Sequence, residues 1–420
     1  MRFFAGPSDF RPPPGGGTLI RLYSAGDATH YAGTGLSRYM TRQRLAPAPK
    51  AWDFMSIALA AVTADQAHPR STSPDGWTRE FDLHVAVDDP DFWQTTTPTL
   101  EATLDYLTTD RWTLSFHPRS ALVSPQQSIA RDADTVSLLS GGLDSLIGAI
   151  DLSVSDRVPL FVSHTEPGDA AKQRAFAQAI SPGAPQIQAA HAAHTPAPHE
   201  TSQRSRSLVF IALGVLGATT VSAYSEGDIV PLVLPENGYI AINPPLTPAR
   251  VGSLSTRTAH PTVLGGVQQL LAAADLRVEI RNPYEFMTKG EMLDQAADKA
   301  LVEQFAVSST SCGRFRRFNY THCGRCVPCQ VRRAAFLRAG VDDRTKYVFK
   351  QLGVKDGDHA GFPDVRDVGL AIERRGGMSI ERWTGASLAS RYIQDPTPYM
   401  AMLDRSIVEL KALHDQLGVT

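Results

Sequence analysis

The sequence predicts an α/β protein. A doubly wound parallel sheet occupies the middle of the chain, with a smaller α+β domain before it and a loop-rich, helical tail after it. Three observations lead there. From Thr135 to Ala297 short apolar runs alternate with helical spacing, which implies parallel strands covered on both faces and joined by right-handed crossovers. The first of those strands ends in a glycine turn that opens a helix. All four cysteines lie between Cys312 and Cys329.

Taken in order, residues 1–17 are rich in proline and glycine and read as a flexible arm. A small α+β domain is expected over 18–130. Thr18 to Ser24 is a strand. Ala51 to Ala64 is a helix through Trp52, Met55, Ile57, Leu59 and Val62. Glu80 to Val87 alternates Phe81, Leu83, Val85 and Val87 onto one face. Leu100 to Leu107 is helical, and Arg111 to His117 alternates through Trp112, Leu114 and Phe116. No catalytic constellation stands out here. Asp53, Asp65, Arg79, Glu80, Asp82 and His84 read as a solvated strand face or helix caps. The polar segment Ser120 to Asp134 reads as a linker.

The central domain, 135–340, begins with the strand Val136 to Leu139 and the helix Leu146 to Leu152. Further strands are expected at Pro159 to Ser163, Gln186 to Ala190, Ile229 to Leu234 and Leu276 to Ile280. Helices fall at Ala170 to Ile180, Ser207 to Val221, His260 to Ala274, Lys289 to Ala297 and Gln330 to Ala339. The extension 341–420 is loop-rich as far as Pro398. It closes with a helix, Tyr399 to Leu417, that carries Leu403, Ile407, Leu410 and Leu413 on one stripe. No internal repeat is visible.

Composition narrows the function classes. Of 420 residues, 42% are hydrophobic and 20% charged, and the formal net charge is −2. These are values of a soluble globular protein with no global field toward nucleic acid or anionic membrane. No signal-peptide core is present at the N-terminus. The longest apolar stretch, Leu208 to Ala223, contains Gly214 and Gly217 and reads as a buried helix, not a membrane span. A cytoplasmic protein is expected. The run Arg314, Arg316, Arg317, Arg325, Arg332, Arg333 and Arg338 could grip a nucleic-acid backbone. The neutral overall charge favours a solvated face or pairing with acidic groups.

The glycine turn carries the chemistry. Ser140-Gly141-Gly142-Leu143-Asp144-Ser145 follows the first central strand. Two glycines allow a sharp turn and close approach to a ligand. The free N–H groups and dipole of the helix start, with the Ser140 and Ser145 hydroxyls, make an anion cradle suited to phosphate. No lysine follows the glycines, so it is not a Walker A loop, and the spacing is not that of a dinucleotide fingerprint. Ligands of doubly wound sheets bind beyond the carboxyl ends of the strands. There Ser140, Ser163-His164-Thr165 and Pro235-Glu236-Asn237-Gly238 should gather.

The spacing C-x10-C-x2-C-x2-C places the sulfurs of Cys312, Cys323, Cys326 and Cys329 within reach of one ion. Four thiolates suit tetrahedral zinc at about 2.3 Å per bond. Such a closed site is structural and contributes on the order of 10 kcal/mol to local folding. An iron–sulfur cluster is the rival occupant.

The turn resembles the pyrophosphate loop of the PP-loop ATPases, which adenylate a substrate oxygen. Further pieces follow in order: Arg206-Ser207-Leu208-Val209-Phe210 at a helix start, Lys289-Gly290-Glu291-Met292 opening another, and Ser311-Cys312 with Cys323-Gly324-Arg325-Cys326-Val327-Pro328-Cys329. Together, over residues 135–340, the chain resembles the QueC family, the 7-cyano-7-deazaguanine synthases. The two extensions and the segment from Pro235 to Leu246 look more like the QueC-like component, QatC, of the Qat anti-phage defence system. Two positions depart from the family. Ser207 replaces an asparagine, and the family's Y-P-D-C segment is replaced around Glu236-Asn237.

The resemblance implies a PP-loop fold, ATP, Mg²⁺, Zn²⁺ and a carboxylate such as 7-carboxy-7-deazaguanine. The cradle from Ser140 to Ser145 would take the pyrophosphate, with His164 beside adenine. Arg206 and Lys289 are candidates for phosphate contact, or else a surface arginine and a first-turn lysine. Asp144 would hold the metal or fix the loop. The amine that attacks the adenylate is ammonia, giving an amide and then a nitrile, or a protein. Partner proteins of a defence complex are expected on the extensions. Two other readings remain: a PP-loop RNA thiolase using persulfide or an iron–sulfur cluster, and a non-catalytic ATP-binding scaffold.

Overall fold

The structure is a computed structural model. It describes residues 1–419 apart from 27, 121, 123, 166–167, 203, 245, 248–256 and 354–362. Ala121 and Val123 of the expected linker and Pro245 of the Pro235–Leu246 segment lie outside the described residues.

Two five-stranded sheets form the frame, and every strand pair in both is parallel. The first comprises β1 (Arg2–Gly6), β2 (Thr18–Leu22), β3 (His30–Ala32), β4 (Glu80–Val87) and β5 (Arg111–Pro118), in the order β3-β2-β1-β4-β5. The N-terminal domain is therefore α/β, not α+β. Residues 2–6, expected in a flexible arm, are its central strand: β1 pairs with β2 on one side and β4 on the other. Phe3 and Ala5 point into the main core. The Pro/Gly-rich stretch that suggested an arm is the loop from β1 to β2.

Helices α1 (Leu36–Arg42), α2 (Pro49–Ala67) and α3 (Pro90–Thr108) cover one face. Asp89 caps α3 by accepting from the Phe92 N–H, and Pro90 sits in the first turn. The helix runs through Pro98 and begins at Pro90, well before the expected Leu100. Helix α2 is buried on almost every side, Ala51 to Asp65 without interruption. It packs on the first sheet and on a helix of the second domain, so it needs apolar residues all round and not a stripe.

The second sheet runs β10-β9-β6-β7-β8: β6 (Thr135–Leu138), β7 (Pro159–His164), β8 (Gln186–Ala189), β9 (Val230–Val233) and β10 (Val278–Arg281). Around it lie α4 (Leu143–Ser153), α5 (Ala170–Ile180), α6 (Arg206–Ala218), α7 (Ser222–Glu226), α8 (Gly238–Ile242) and α9 (Pro261–Ala273). The expected doubly wound order is present, with β6 central and the chain reversing direction across the sheet between β8 and β9. Gly214 and Gly217 let α6 lie close on the sheet. A Cβ at Gly214 would sit 2.6 Å from Leu232 Cδ1, and one at Gly217 2.8 Å from Val162 Cγ2. Both sheets share one continuous core through α2 and α6.

Helices α10 (Lys289–Gln295), α11 (Lys299–Phe305) and α12 (Val327–Ala339) follow, then α13 (Pro363–Gly376), α14 (Ile380–Leu388) and α15 (Thr397–Gln416). The stretch before Pro398, expected to be loop-rich, thus holds two helices. They build a separate apolar core with α8 and α12, in which Leu403, Ile407, Leu410 and Leu413 of α15 are buried. Among the described residues, no helix is long and apolar enough to cross a membrane.

Three polar residues expected at a solvated face or caps are deeply buried instead: Asp53 and Asp65 are 0% and Arg79 1% exposed. Asp53 accepts from Trp93 Nε1, the Asp88 N–H and Arg119. Arg79 bridges Asp65 and Asp110, at 2.6 Å each. Buried charges persist only when paired and hydrogen-bonded in this way. Several arginines of the basic run are likewise engaged. Arg332 is fully buried and donates to Ser309 Oγ, the Ala306 carbonyl and Thr345 Oγ1. Arg314 pairs with Asp364, and Arg338 with Asp294.

Candidate functional site

The turn after β6 has the geometry the sequence implied. Gly141 has φ +86°, a conformation that favours glycine. Ser145 Oγ donates to the Gly142 carbonyl at 3.1 Å, accepts from the Ser140 N–H at 3.1 Å and lies 3.0 Å from Ser140 Oγ. Gly142 stands at the N-cap of α4, and among the described residues no side chain caps that helix. The first intrahelical bond is Leu146 N–H to the Gly142 carbonyl. The N–H groups of Leu143, Asp144 and Ser145 precede it and have no intrahelical acceptor.

Beside the turn is a cavity of about 330 Å³ between the carboxyl ends of β6, β7 and β9. Ser140, Ser145, His164, Arg206, Phe210 and Glu236 line it. Of the residues singled out in the sequence, Ser140, Ser145, His164 and Arg206 share this wall, and Gly141, Gly142 and Leu143 form the turn. The His164 and Phe210 rings lie 4.6 Å apart, and Arg206 sits over Phe210 at 5.5 Å. Burial, with His191 and Arg206 close by, lowers the His164 pKa to about 3, so the imidazole facing the cavity is neutral.

Asp144 and Lys289 lie just behind this wall. Lys289, in the first turn of α10, pairs with Asp144, and both side chains are 7% exposed. The other oxygen of Asp144 accepts from Asn237 Nδ2 at 2.7 Å and the Asn237 N–H at 3.2 Å. Burial opposes ionisation of Asp144. Lys289 and the hydrogen bonds from Glu236, Lys289 and Asn237 outweigh it and hold the carboxylate below its ordinary range. Lys289 does not line the cavity; its ammonium ties α10 to α4. Asn237 ties the end of β9 to the same carboxylate.

The sequence places Glu236 at a strand end and at a departure from the family pattern, without a role in the site. Burial first, and then Asp144 beside it, push its pKa well above the usual carboxyl range. The protonated form of Glu236 in the cavity wall is thus favoured by the carboxylate of Asp144 behind it. The signal available was its position directly after an apolar strand, but its proximity to Asp144 is a tertiary fact.

The four cysteines form one buried cluster, and their sulfurs all lie within 4.8 Å of one another. Cys312 and Cys326 are 3.9 Å apart, as are Cys323 and Cys329. A tetrahedral ion with bonds of about 2.3 Å places its sulfurs about 3.8 Å apart. The cluster therefore fits a single metal such as zinc, and the spacing is too tight for the body of an iron–sulfur cluster. The Arg314, Cys323 and Cys326 N–H groups point at cysteine sulfurs at 3.3 to 3.4 Å. The knot also supports the glycine turn. The Thr310 N–H donates to the Gly141 carbonyl at 2.9 Å, and Lys172 on α5 donates to Thr310 Oγ1.

A parallel sheet in this order, with a glycine turn and an uncapped helix start at its switch point, defines an α/β protein of the class that receives anionic ligands at strand ends. The chain is similar to curated proteins described as 7-cyano-7-deazaguanine synthase. That of Methanocaldococcus jannaschii is 38% identical over 74 residues, which is 17% of this chain and 32% of the relative. That of Methanococcus aeolicus is 31% identical over 74 residues, again 17% and 32%. The 7-cyano-7-deazaguanine synthase 1 of Sphingopyxis alaskensis is 33% identical over 98 residues, 21% and 40%. The chain thus spans about a third of the length of the curated relatives it matches. No family model and no solved structure matches it.

Proposed function

We propose that the central domain is a PP-loop ATPase of the QueC kind. It adenylates a carboxylate resembling 7-carboxy-7-deazaguanine and passes the acyl group to an amine. The observation that carries this reading is the turn from Ser140 to Ser145 opening onto the cavity with His164, Arg206 and Glu236. At about 330 Å³ the cavity lies within the range of small-ligand sites. The partial likeness to 7-cyano-7-deazaguanine synthases supports the choice of substrate class.

The chemistry follows from charge. A carboxylate is a poor electrophile because its leaving group would be oxide. Attack of its oxygen on the α-phosphorus of ATP breaks the bond to pyrophosphate and leaves a mixed anhydride with AMP. Negative charge grows on the departing pyrophosphate, and the N–H groups of Leu143, Asp144 and Ser145 with the Ser140 hydroxyl would stabilise it. Arg206 adds positive charge at the cavity wall. Neutral His164 and Phe210 line the cavity where the base would lie. An amine then attacks the acyl carbon, AMP leaves, and the amine gives up a proton. Mg²⁺ accompanies ATP in such reactions, whereas both oxygens of Asp144 are already engaged, one by Lys289 and the other by Asn237. In this reading Asp144 fixes the loop. The cysteine cluster holds Zn²⁺ as a structural ion.

The extensions on either side of this domain favour the QatC-like role in anti-phage defence, with a partner protein supplying the amine. The test is AMP and pyrophosphate release from ATP with 7-carboxy-7-deazaguanine, with ammonia or co-expressed partner proteins as acceptor. The Ser140→Ala and Ser145→Ala variants should lose most of it. ATP binding without AMP release under every acceptor would overturn the enzymatic reading in favour of a scaffold.

A further inference from the structure

The segment from β8 to α6 crosses the face of the N-terminal domain and is fastened to it along its length. At its start, Tyr39 Oη accepts from the Gln188 N–H at 3.2 Å. The Gly33 N–H donates to the His191 carbonyl at 2.6 Å, and Tyr31 and His194 exchange both backbone bonds, at 2.8 and 3.2 Å. Further on, Glu200 accepts from the Arg70 N–H at 2.9 Å. Arg204 donates to Thr109 Oγ1 at 2.9 Å.

At its end, the Ser205 N–H and hydroxyl both donate to Asp65 Oδ2, at 3.1 and 2.6 Å. Asp65 closes the long interdomain helix α2. Its other oxygen is held by Arg79, which is itself locked to Asp110. Ser205 is the N-cap residue of α6, yet its hydroxyl makes no capping bond to that helix. An N-cap serine ordinarily bonds an N–H of its own first turn. Here the hydroxyl is turned to the other domain, so Asp65 sets where α6 begins. The next residue is Arg206. His191, at the other end of the segment, bonds His164 at 2.5 Å. Ser205, which precedes Arg206, and His191, which bonds His164, are thus both tied to the N-terminal domain.

We infer that the N-terminal domain is a positioning element for the nucleotide site and that Asp65 is its key positioning residue, acting through Ser205 on Arg206. The inference rests on the reading of the cavity as an ATP site and gives the first sheet a role in it. The domains are built for this contact. Both sheets have the same strand order counted from their first strand, and helices in corresponding connections meet, α2 on α6 and α3 on α9.

The experiment measures binding of a non-hydrolysable ATP analogue by calorimetry to the full chain, with Asp65→Asn, Ser205→Ala, Arg206→Ala and the Asp65→Asn/Arg206→Ala double variant. Hydrogen exchange of the nucleotide-free proteins is followed in parallel. Asp65→Asn is expected to weaken binding about tenfold, the scale of one charge-assisted hydrogen bond. Exchange over residues 204–209 should rise while β6 and α4 keep their protection. Ser205→Ala, which keeps the buried Asp65–Arg79 pair and so guards against a variant that does not fold, is expected to weaken binding about threefold. In the Arg206→Ala background Asp65→Asn should change affinity less than twofold, because the coupling runs through that arginine. Additive losses would mean that Asp65 only stabilises the fold, and would overturn the inference while leaving the ATP site intact. Failure of the wild-type chain to bind the analogue would overturn the ATP reading and the inference with it.

Discussion

Replacing Lys289 with methionine tests the arrangement behind the glycine turn most directly. Lys289 and Asp144 are each 7% exposed. The pair therefore belongs with buried ion pairs, where loss of one partner costs about 3–5 kcal/mol, and not with surface pairs worth at most about 1 kcal/mol. Asp144 would keep two hydrogen bonds from Asn237 after the substitution. That places the expected loss at the lower end, about 3 kcal/mol. The assay is urea unfolding of wild type, Lys289→Met, Asp144→Asn and the double variant. With both charges gone nothing ionised is left unpaired, so the double variant should recover at least half of the Lys289→Met loss. The argument also fixes a sign in pH. Without its counter-charge, the burial of Asp144 is opposed only by its hydrogen bonds, so its pKa rises and Lys289→Met should lose less stability at pH 4 than at pH 7. A double variant no more stable than Lys289→Met, or a loss under about 1 kcal/mol, would refute the buried-pair account.

Three further outcomes are expected. Removing the metal with a chelator, or substituting Cys326→Ser, should free the Thr310 N–H from Gly141; limited proteolysis should then cut within 309–330, and affinity for nucleotide should fall with it. Alanine at Gly266 on α9 would place a Cβ 2.3 Å from Thr103 Oγ1 on α3. It should cost about 1–3 kcal/mol in denaturant unfolding, and Thr103→Ala in the same chain should restore most of that. Glu409 on α15 has its pKa raised from 4.5 to about 7, chiefly by burial. Its protonated form is the one folding favours, so its contribution is complete below pH 4.5 and disappears as pH rises toward 7. Thermal melts of Glu409→Gln should therefore lose less stability than wild type between those values.

Elements whose side chains face one core announce themselves by period, and they were readable: β4 and β5 through their alternation, α5 and α9 through their helical stripe, the cysteine knot through spacing alone. Element β1 escaped because five residues before a run of proline and glycine offer too short a window, although Phe3 and Phe4 are buried. The parallel pairing of the first sheet escaped because β1, β2 and β3 are joined by loops, and a parallel sheet is usually recognised by the helices between its strands. Helices α13 and α14 were missed where buried residues are sparse and charged ones frequent.

The candidate site divides along the same line. The glycine turn and the helix start are local, so residue type and order disclose them. Which charges stand beside it is not local. Asp144 meets Lys289 from 145 positions away, and Asp65 meets Ser205 from 140. An aspartate near the end of a helix has two fates that look identical in one dimension, solvation or burial against a counter-charge. Only the approach of a second element separates them. That is why Asp65 read as a helix cap and why the N-terminal domain read as lacking chemistry. Among the described residues it sends no side chain into the cavity; its contribution is to fix the start of a helix that does.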